Sequence, residues 1–491
     1  MVSRLKPCVS IAFDEKQLEE VVSKAKDWAL MHGACMRSKT QFNSDALQFA
    51  PFVLIPSTFP RKQFEKAIYL QPIVNELIHA VANNHEFLKR SLAVTITVDP
   101  FTAELYNIYE TVRSENSSQP IALGLLRSDV MLSDVIPGAQ SSIPLSQKYQ
   151  QRQVEVNTIA AGFGWLGPAS GHLHRIVMEE LSHGDKVTQM PENRALENLA
   201  GGMLKAWELY NRANAAILFV IEEVTYNICD QRFHEFEIRR QNPNVRVIRR
   251  NLTELGRGAA QLGPNKELIV DGSEIAVVYF RCGYSPDQYP STDRCEWNAR
   301  LLIERSKAIK CPNIAYHLAG TKKIQQTLAQ PGVVEEILKD EDKARALREC
   351  FTGLYSLDLN DEGDRASEMA IQDPERFVLK PQREGGGNNV YGLEVKTTIE
   401  RLRDSHERAA YILMDVIKPP LLRNWMIRPG SEPVLEDTIS ELGIFGVILG
   451  NSKEIFYNSV GGHMLRTKLH TANEGGVAAG LGALDSPFLV D

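Results

Sequence analysis

The sequence has no long apolar run and no closely spaced pair of cysteines, and these absences exclude several classes of protein. The longest apolar stretches, such as residues 215–221, are too short to span a bilayer. Residues 1–7 contain no apolar segment of the length that a signal peptide needs. The 7 cysteines are an odd number and form no Cys-x-x-Cys pair, which argues against a zinc site or a disulfide framework. We therefore expect a cytosolic protein with reduced thiols and no membrane association.

The sequence also lacks a strong excess of charge. Its 491 residues carry a formal net charge of -7, and the pI is near 6.0. Such a balance gives no general attraction to nucleic acid or to anionic membranes, so any anionic ligand must be met by local charge. The hydrophobic fraction of 43% and the charged fraction of 24% are typical of globular proteins. No internal repeat is evident, and the length suffices for about three average domains.

The most informative stretch is residues 377–392, in which a short apolar segment ends on Lys380 and Glu384 introduces three glycines. This order predicts a strand, a charge and then a loop. Glycines let successive backbone N–H groups approach an anion, and a lysine adds positive charge. A carboxylate beside phosphate is favourable when a divalent cation lies between them. A glycine triplet alone is more often a turn, but the strand, Lys380 and Glu384 favour a phosphate site.

Two further segments place polar side chains on predicted strands. Residues 121–131 read as a buried strand that ends on Arg127, Ser128 and Asp129, where ligands of α/β proteins commonly bind. On the predicted strand 153–159, Glu155 and Asn157 lie two residues apart and share one face. Their oxygens either hold a hard cation or form a solvated polar face, and Arg127 and Asp129 either serve a ligand or only pair with each other.

Residue spacing predicts the other elements more coarsely. A helix is expected after the cap Asp14, and a second helical pattern over 64–88 is interrupted by Pro72. Short β segments with an Asp-Gly turn at 271–272 indicate a small α/β unit within residues 216–320. Near the C-terminus, Arg466 and Lys468 share a strand face, and the small residues of 474–480 form either a loop that closes on a ligand or a mobile tail.

Residues 380–392, Lys-Pro-Gln-Arg-Glu-Gly-Gly-Gly-Asn-Asn-x-Tyr-Gly, resemble the glycine-rich loop of the eukaryotic-type glutathione synthetases, which are members of the ATP-grasp superfamily. The resemblance extends from about Asp14 to the C-terminus. It implies a mixed α/β (α+β) fold of the ATP-grasp type with glycine-rich lid loops. It also implies a catalytic body made of residues 1–215 and 321–491, and an inserted small α/β substrate-binding domain at 216–320.

The resemblance implies a role for individual residues of this sequence. The expected catalytic residues are Arg127, Lys380 and Arg466. The expected Mg²⁺ ligands are Glu155, Asn157 and Glu384. The expected ATP-binding residues are Lys322, Lys380, Glu384, Gly385, Gly386, Gly387, Asn388, Asn389, Tyr391, Met414, Glu441, Lys468 and Glu474. The expected substrate-binding residues are Arg127, Ala160, Gly162, Thr225, Asn227, Gln231, Arg281, Tyr284, Arg466, Val477 and Ala478. For Lys322, a paired surface lysine is the alternative explanation of Lys322-Lys323.

The reaction that the resemblance implies is the ATP-dependent ligation of γ-glutamylcysteine to glycine by a homodimeric enzyme. The sequence departs from the family pattern at the donor end: Ala160 and Gly162 replace two serines, Thr225 replaces a glutamate, and Cys282 stands where an acidic residue is common. Two alternatives therefore stay open. One is a paralogous ligase for a different γ-glutamyl or dipeptide-like acid, and the other is a weakly active regulatory subunit that binds ATP or peptide.

Overall fold

A large β-sheet and a small β-sheet face each other and are surrounded by helices. The structure, a computed structural model, describes residues 3–116, 118–135, 145–384, 386–473, 475–477 and 482–491. None of the described helices has the length and apolar character needed to cross a membrane. All seven cysteines are free thiols, as the sequence predicts.

The strands and helices are numbered in chain order. The strands are Cys35–Met36 (β1), Gln48–Phe49 (β2), Phe52–Val53 (β3), Ser57–Pro60 (β4), Ala122–Asp134 (β5), Tyr149–Asn157 (β6), Ala216–Val220 (β7), Val247–Arg250 (β8), Ala260–Leu262 (β9), Leu268–Val270 (β10), Ser273–Phe280 (β11), Ile309–Cys311 (β12), Leu354–Ser356 (β13), Phe377–Pro381 (β14), Val390–Tyr391 (β15), Tyr411–Asp415 (β16), Leu422–Ile427 (β17), Val434–Gly450 (β18), Ile455–Leu469 (β19), Gly482–Asp485 (β20) and Pro487–Val490 (β21). The helices are Glu15–Met31 (α1), Arg61–Ala82 (α2), His85–Leu92 (α3), Thr95–Val98 (α4), Pro100–Ser114 (α5), Leu145–Lys148 (α6), Leu166–Glu180 (α7), Ala195–Tyr210 (α8), Ile228–Gln241 (α9), Leu252–Glu254 (α10), Cys295–Arg305 (α11), Ile314–Ala319 (α12), Lys322–Leu328 (α13), Val333–Leu338 (α14), Glu341–Arg348 (α15), Asp361–Gln372 (α16) and Leu393–Leu402 (α17).

The large sheet is organised around β5. Along its length β5 pairs antiparallel with β18, while its other edge pairs with β12 at Ala122 and with β6 from Arg127 onward. The strand predicted over 121–131 is confirmed as β5, but Arg127 and Asp129 do not lie at its end, because pairing with β6 extends the strand to Asp134. Arg127 and Asp129 consequently lie inside a sheet, where both side chains are held on one face.

The small sheet has the strand order β13-β16-β14-β15, and helices α16 and α17 cover one of its faces. The strand predicted before the glycines is confirmed as β14, and residues 411–415 form its neighbour β16. Phe377 and Leu379 pack into the apolar cluster under the helices. Val378 and Lys380 alternate with them and therefore face the large sheet.

Helices α1 and α2 can be compared with the two helical predictions made for the N-terminal third of the chain. The helix α1 begins after Asp14, whose carboxylate accepts a hydrogen bond of 2.8 Å from the Gln17 N–H, as predicted. The interruption predicted at Pro72 is wrong, since α2 continues through this residue. A proline inside a helix costs about 3 kcal/mol, and the buried apolar side of α2 outweighs that cost by packing against the large sheet. His79 is buried in this contact.

The segment 216–320 contains the predicted short strands β7, β10 and β11. The turn at Asp271-Gly272 is confirmed, with φ of 49° and 73°, as two-residue hairpin turns require. Strand β11 pairs in parallel with β12, and β12 pairs with β5, so this segment extends the large sheet. The division of the chain into a catalytic body and a substrate-binding domain stays a prediction.

Candidate active site

A cleft of about 650 Å³ lies between the large and the small sheet, which is a volume typical of small-molecule sites. Strands β5, β6, β18 and β19 form one wall, and β14, β15 and β16 form the other. The predicted site residues that line it are Arg127, Glu155, Asn157, Ala160, Tyr284, Lys322, Lys380, Glu384, Gly386, Asn388, Asn389, Tyr391, Met414, Glu441, Arg466 and Lys468. The fold thus brings together most of the residues that sequence reasoning singled out.

Lys322 joins the two walls of the cleft. Its Nζ lies 3.0 Å from Glu155 Oε2 and 2.9 Å from both carboxylate oxygens of Glu384. Its side chain is 5% exposed, so the explanation as a surface lysine is wrong. Lys323 is also buried, but it donates to Ser356 and Asp358 on the other side of α13.

The charges in this cluster shift one another's pKa values. Burial lowers the pKa of Lys322, but the attraction of Glu155 and Glu384 outweighs it and holds the value above the ordinary range. Burial raises the pKa of Glu384 to about 7, because the charge of Glu155 adds to burial and Lys322 offsets it only in part. Glu155 itself is held below its usual pKa by Lys322 and Lys380 despite its burial. Two carboxylates thus share one ammonium group, which favours the binding of a further cation.

Lys380 points from β14 toward β6 and donates to the Val154 carbonyl at 3.2 Å. Burial lowers its pKa below the ordinary lysine value, although the neighbouring Glu155 favours the charged form. No carboxylate lies within ion-pair distance of Lys380 among the residues that the structure describes. An anion in the cleft would therefore find this cation available.

A second charged cluster is centred on Asp129, which sequence reasoning noted but did not place in the site. Arg127 donates two hydrogen bonds to the Asp129 carboxylate, at 2.6 Å and 2.7 Å. Asn157 Nδ2 donates to the same carboxylate at 2.9 Å, and Arg466 Nη2 lies 3.7 Å from it. Arg466 also donates to Glu441 at 2.5 Å. The signal in the sequence was the Arg-x-Asp spacing on a strand, which puts both side chains on one face.

The oxygen donors at the junction of these clusters are suited to a hard cation. Glu155 and Glu384 offer carboxylates, and Asn157 uses Nδ2 toward Asp129, which leaves its Oδ1 as an acceptor. Within the described ranges, no group of three or more His, Cys, Asp or Glu side chains is placed to hold a metal. Mg²⁺ commonly binds through only one or two carboxylates together with substrate phosphates. The Mg²⁺ assignment to Glu155, Asn157 and Glu384 is compatible with this arrangement and stays a prediction.

The remaining predicted ATP and lid residues are distributed unevenly. Gly386 and Gly387 have φ of 75° and 78°, the left-handed region that glycine adopts without strain, and Gly387 is exposed beside the cleft. Gly385, Glu474 and Ala478 lie outside the described residues. Val477 is 4% exposed and packs in an apolar cluster with Phe52 and Leu484 rather than lining the cleft.

Comparison with known proteins decides the family. The family model described as eukaryotic glutathione synthase, ATP binding domain, matches residues 15–489. The chain belongs to the eukaryotic glutathione synthase family. It is 44% identical to the glutathione synthetase of Homo sapiens over 98% of this chain and 99% of that protein. It is 43% identical to the enzyme of Xenopus laevis, with 97% and 98% covered, and 39% identical to the chloroplastic one of Solanum lycopersicum, with 97% and 85% covered.

A solved structure supports the same conclusion for the fold. A glutathione synthetase-like effector from Globodera pallida, in its apo form, superposes with a TM-score of 0.77 at 26% identity, covering 98% of this chain and 99% of that one. The predicted mixed α/β fold, consistent with the ATP-grasp architecture expected for the glutathione synthase family, is thereby confirmed.

Several of the predicted substrate residues lie in a layer beside the cleft rather than in its lining, whereas Arg127, Ala160, Tyr284 and Arg466 line it. Of the predicted substrate residues that the structure describes, Gly162, Thr225, Asn227, Gln231, Arg281 and Val477 are not part of the lining. Arg281 is 4% exposed and donates to the carbonyls of Ala160 and Ala161, at 3.3 Å and 3.0 Å, and to Asp230 at 3.3 Å. Its guanidinium therefore supports the wall of the cleft in this structure.

Asp230 is the centre of this layer and was missed by sequence reasoning. Its carboxylate accepts hydrogen bonds from the backbone N–H groups of Phe163, Trp165 and Leu166, at 2.9, 2.9 and 3.2 Å. Together with Arg281 it fixes the segment 160–166 that contributes Ala160 to the cleft. The sequence feature that could have identified Asp230 is its place in Asn227-Ile-Cys-Asp230-Gln231, between two predicted substrate residues.

Proposed function

We propose that this chain ligates γ-glutamylcysteine to glycine in an ATP-dependent reaction that passes through an acyl phosphate and yields glutathione, ADP and phosphate. The observation that carries the proposal is the convergence of Lys322, Lys380 and Arg466 with Glu155 and Glu384 in one cleft. Support also comes from the relatives named glutathione synthetase, which align with nearly the whole chain.

The chemistry explains why such a cleft is needed. A carboxylate is a poor electrophile and must first be activated. The cysteine carboxylate of γ-glutamylcysteine, which will be joined to glycine, therefore attacks the γ-phosphorus of ATP. The bond between the γ-phosphorus and the bridging oxygen then breaks, and ADP leaves. The neutral amine of glycine attacks the acyl carbon, the carbon–oxygen bond to phosphate breaks, and the amine loses a proton. Cations must hold the phosphoryl oxygens in line, and water must be kept out.

The residues divide these tasks by position. Lys322 and Lys380 lie near the glycine-rich loop, where they would neutralise the phosphate oxygens of ATP. Arg127 and Arg466 lie across the cleft, where they would orient carboxylates and stabilise the charge of the acyl phosphate. Glu155, Asn157 and Glu384 would hold Mg²⁺, which supplies charge neutralisation of the transferred phosphoryl group when bound.

Several features of the protein belong to the same proposal. We infer a homodimer and a cytosolic location, because the family resemblance and the free thiols favour them. We also infer that residues 216–320 act as the substrate-binding domain of a body formed by 1–215 and 321–491. Met414 on β16 and Glu441 on β18 would contact the adenine and the ribose of ATP from opposite walls.

The test is ATP-dependent phosphate release by the purified full chain with glycine and each member of an acid panel. The panel contains γ-glutamylcysteine, other γ-glutamyl dipeptides and plain dipeptides, and mass spectrometry identifies the product. We expect strong release and glutathione formation with γ-glutamylcysteine. Release with only another acid would refute the donor assignment and identify a paralogous ligase. Bound ATP without release from any acid would refute ligation and favour a regulatory role.

A further inference from the structure

A partly buried carboxylate, Glu222, lies beside the cleft at a position to which the resemblance assigns no role. It follows β7, and its Oε1 accepts hydrogen bonds from the Tyr284 hydroxyl at 3.3 Å and from Gln288 Nε2 at 3.0 Å. Gln288 Oε1 in turn accepts from the backbone N–H groups of Gly283 and Tyr284, which fixes its amide. No described residue donates to Glu222 Oε2. One carboxylate oxygen is thus held in place and the other is available.

Tyr284 connects Glu222 to the cleft. The tyrosine lines the cleft, and its hydroxyl is the group that contacts the Glu222 carboxylate. A dipeptide-like donor whose reacting carboxylate lies near Arg466 or Lys380 extends over several bonds toward its other end. That end would come to Tyr284 and the carboxylate beside it.

Thr225, which stands where the family carries a glutamate, cannot supply a negative charge. It is 4% exposed, and its Oγ1 lies 3.4 Å from Arg249 Nη2. Arg249 is already paired with Glu235 at 2.5 Å and donates to Gln231 at 3.0 Å. The side chain at position 225 therefore faces a closed network of charges, and the same loop offers Glu222 three residues earlier.

The positive charges near Glu222 do not fully compensate for the burial of its carboxylate, so a cationic ligand can still be attracted to it. Burial raises the pKa of Glu222 above its usual value, and Arg281 and Lys39 offset this effect only in part. Arg281 is engaged by Asp230, and Lys39 lies over the ring of Tyr226 at 5.4 Å. A partly buried carboxylate whose charge is not fully compensated gains from a ligand that brings a positive charge and N–H donors.

We propose that Glu222 binds the α-ammonium group of the γ-glutamyl donor and takes over the task of the carboxylate that is missing at position 225. The inference rests on the proposed function, since a γ-glutamyl group supplies the ammonium. It makes Glu222 a specificity-determining residue: it selects donors that carry a free α-ammonium and leaves the chemistry at the distant carboxylate unchanged.

The experiment compares Glu222→Gln with the matched control Glu223→Gln, which removes the charge of the exposed neighbour. Titration calorimetry with a non-hydrolysable ATP analogue present measures Kd for γ-glutamylcysteine and for glutarylcysteine, which lacks the ammonium. Loss of a hydrogen bond between charged groups weakens binding about 10- to 100-fold, so E222Q should raise Kd for γ-glutamylcysteine by this factor. E222Q should bind glutarylcysteine as tightly as the wild type does, and E223Q should change neither value.

The wild-type protein provides a test that does not depend on a variant's folding. It should bind glutarylcysteine more weakly than γ-glutamylcysteine by the same factor that E222Q loses. Equal Kd values for the two ligands in the wild type would overturn the proposal, as would an E222Q protein that binds γ-glutamylcysteine normally. Wild-type binding of γ-glutamylcysteine that is not followed by ligation would refute the proposed function but leave the role of Glu222 intact.

Discussion

Asp230→Asn should destabilise the protein and also disturb the end of the cleft at which we propose that the donor binds. Asp230 is fully buried, with Oδ1 accepting from the N–H groups of Trp165 and Leu166 and Oδ2 accepting from Phe163 and Arg281. An asparagine replaces one of these oxygens with an NH₂ group. Whichever way its amide is turned, donors then face donors.

The magnitude follows from two losses. At least one backbone N–H loses a charged acceptor, and the guanidinium of Arg281, whose side chain is 3% exposed, loses its counter-charge. Removing one partner of a buried ion pair costs about 3–5 kcal/mol, and we expect the free energy of unfolding to fall by this amount. Because the segment 160–166 contributes Ala160 to the cleft, KM for the donor should rise while KM for ATP stays near the wild-type value.

Urea unfolding and initial-rate kinetics check both parts of this prediction. Asp287→Asn is the control, because Asp287 is exposed on the turn that follows Tyr284. The double variant Asp230→Asn/Arg281→Met should lose less stability than the sum of the single variants, since it leaves no unpaired buried charge. A loss below about 1 kcal/mol for Asp230→Asn, or a change confined to the ATP KM, would refute the reasoning.

Three further predictions concern the charged cluster and the dependence of stability on pH. Lys322→Met should lower kcat about 100- to 1000-fold, because it removes a cation that we propose neutralises the phosphate oxygens of ATP. The half-exposed Lys396→Met should not lower kcat, and equal activity of both variants would contradict the assignment. Glu384→Gln should abolish turnover but preserve ATP binding measured without Mg²⁺; surviving turnover would mean that the metal assignment is wrong. Burial lowers the pKa of His174 to about 4. This histidine is neutral in the fold, but it becomes protonated in the unfolded chain when the pH falls below the ordinary pKa of about 6.5. Its contribution to stability should therefore decrease by about 3 kcal/mol as pH drops from about 6.5 to 4. Urea unfolding at several pH values should show a smaller fall in His174→Gln, and an unchanged fall would contradict the prediction.

The sequence alone determined the local features of the candidate site. Period-two alternation put Glu155 with Asn157 and Arg466 with Lys468 on shared strand faces, and the structure has both pairs in the cleft. The strand before the glycines was also predictable, because alternation and turn residues are properties of neighbouring positions. The family resemblance added the identities of ligands that no local pattern contains.

Tertiary structure decided which distant groups meet. Lys322 binds Glu155 and Glu384, which are 167 and 62 residues away in the chain, and only the packing of the elements on either side of the cleft brings them together. The length of β5 was set by its partners β18 and β6, and the continuity of α2 through Pro72 by burial against the sheet. The burial of Arg281 against Asp230 likewise depends on a helix and a strand far apart in sequence. Such contacts depend on the packing of whole elements, which residue spacing does not encode.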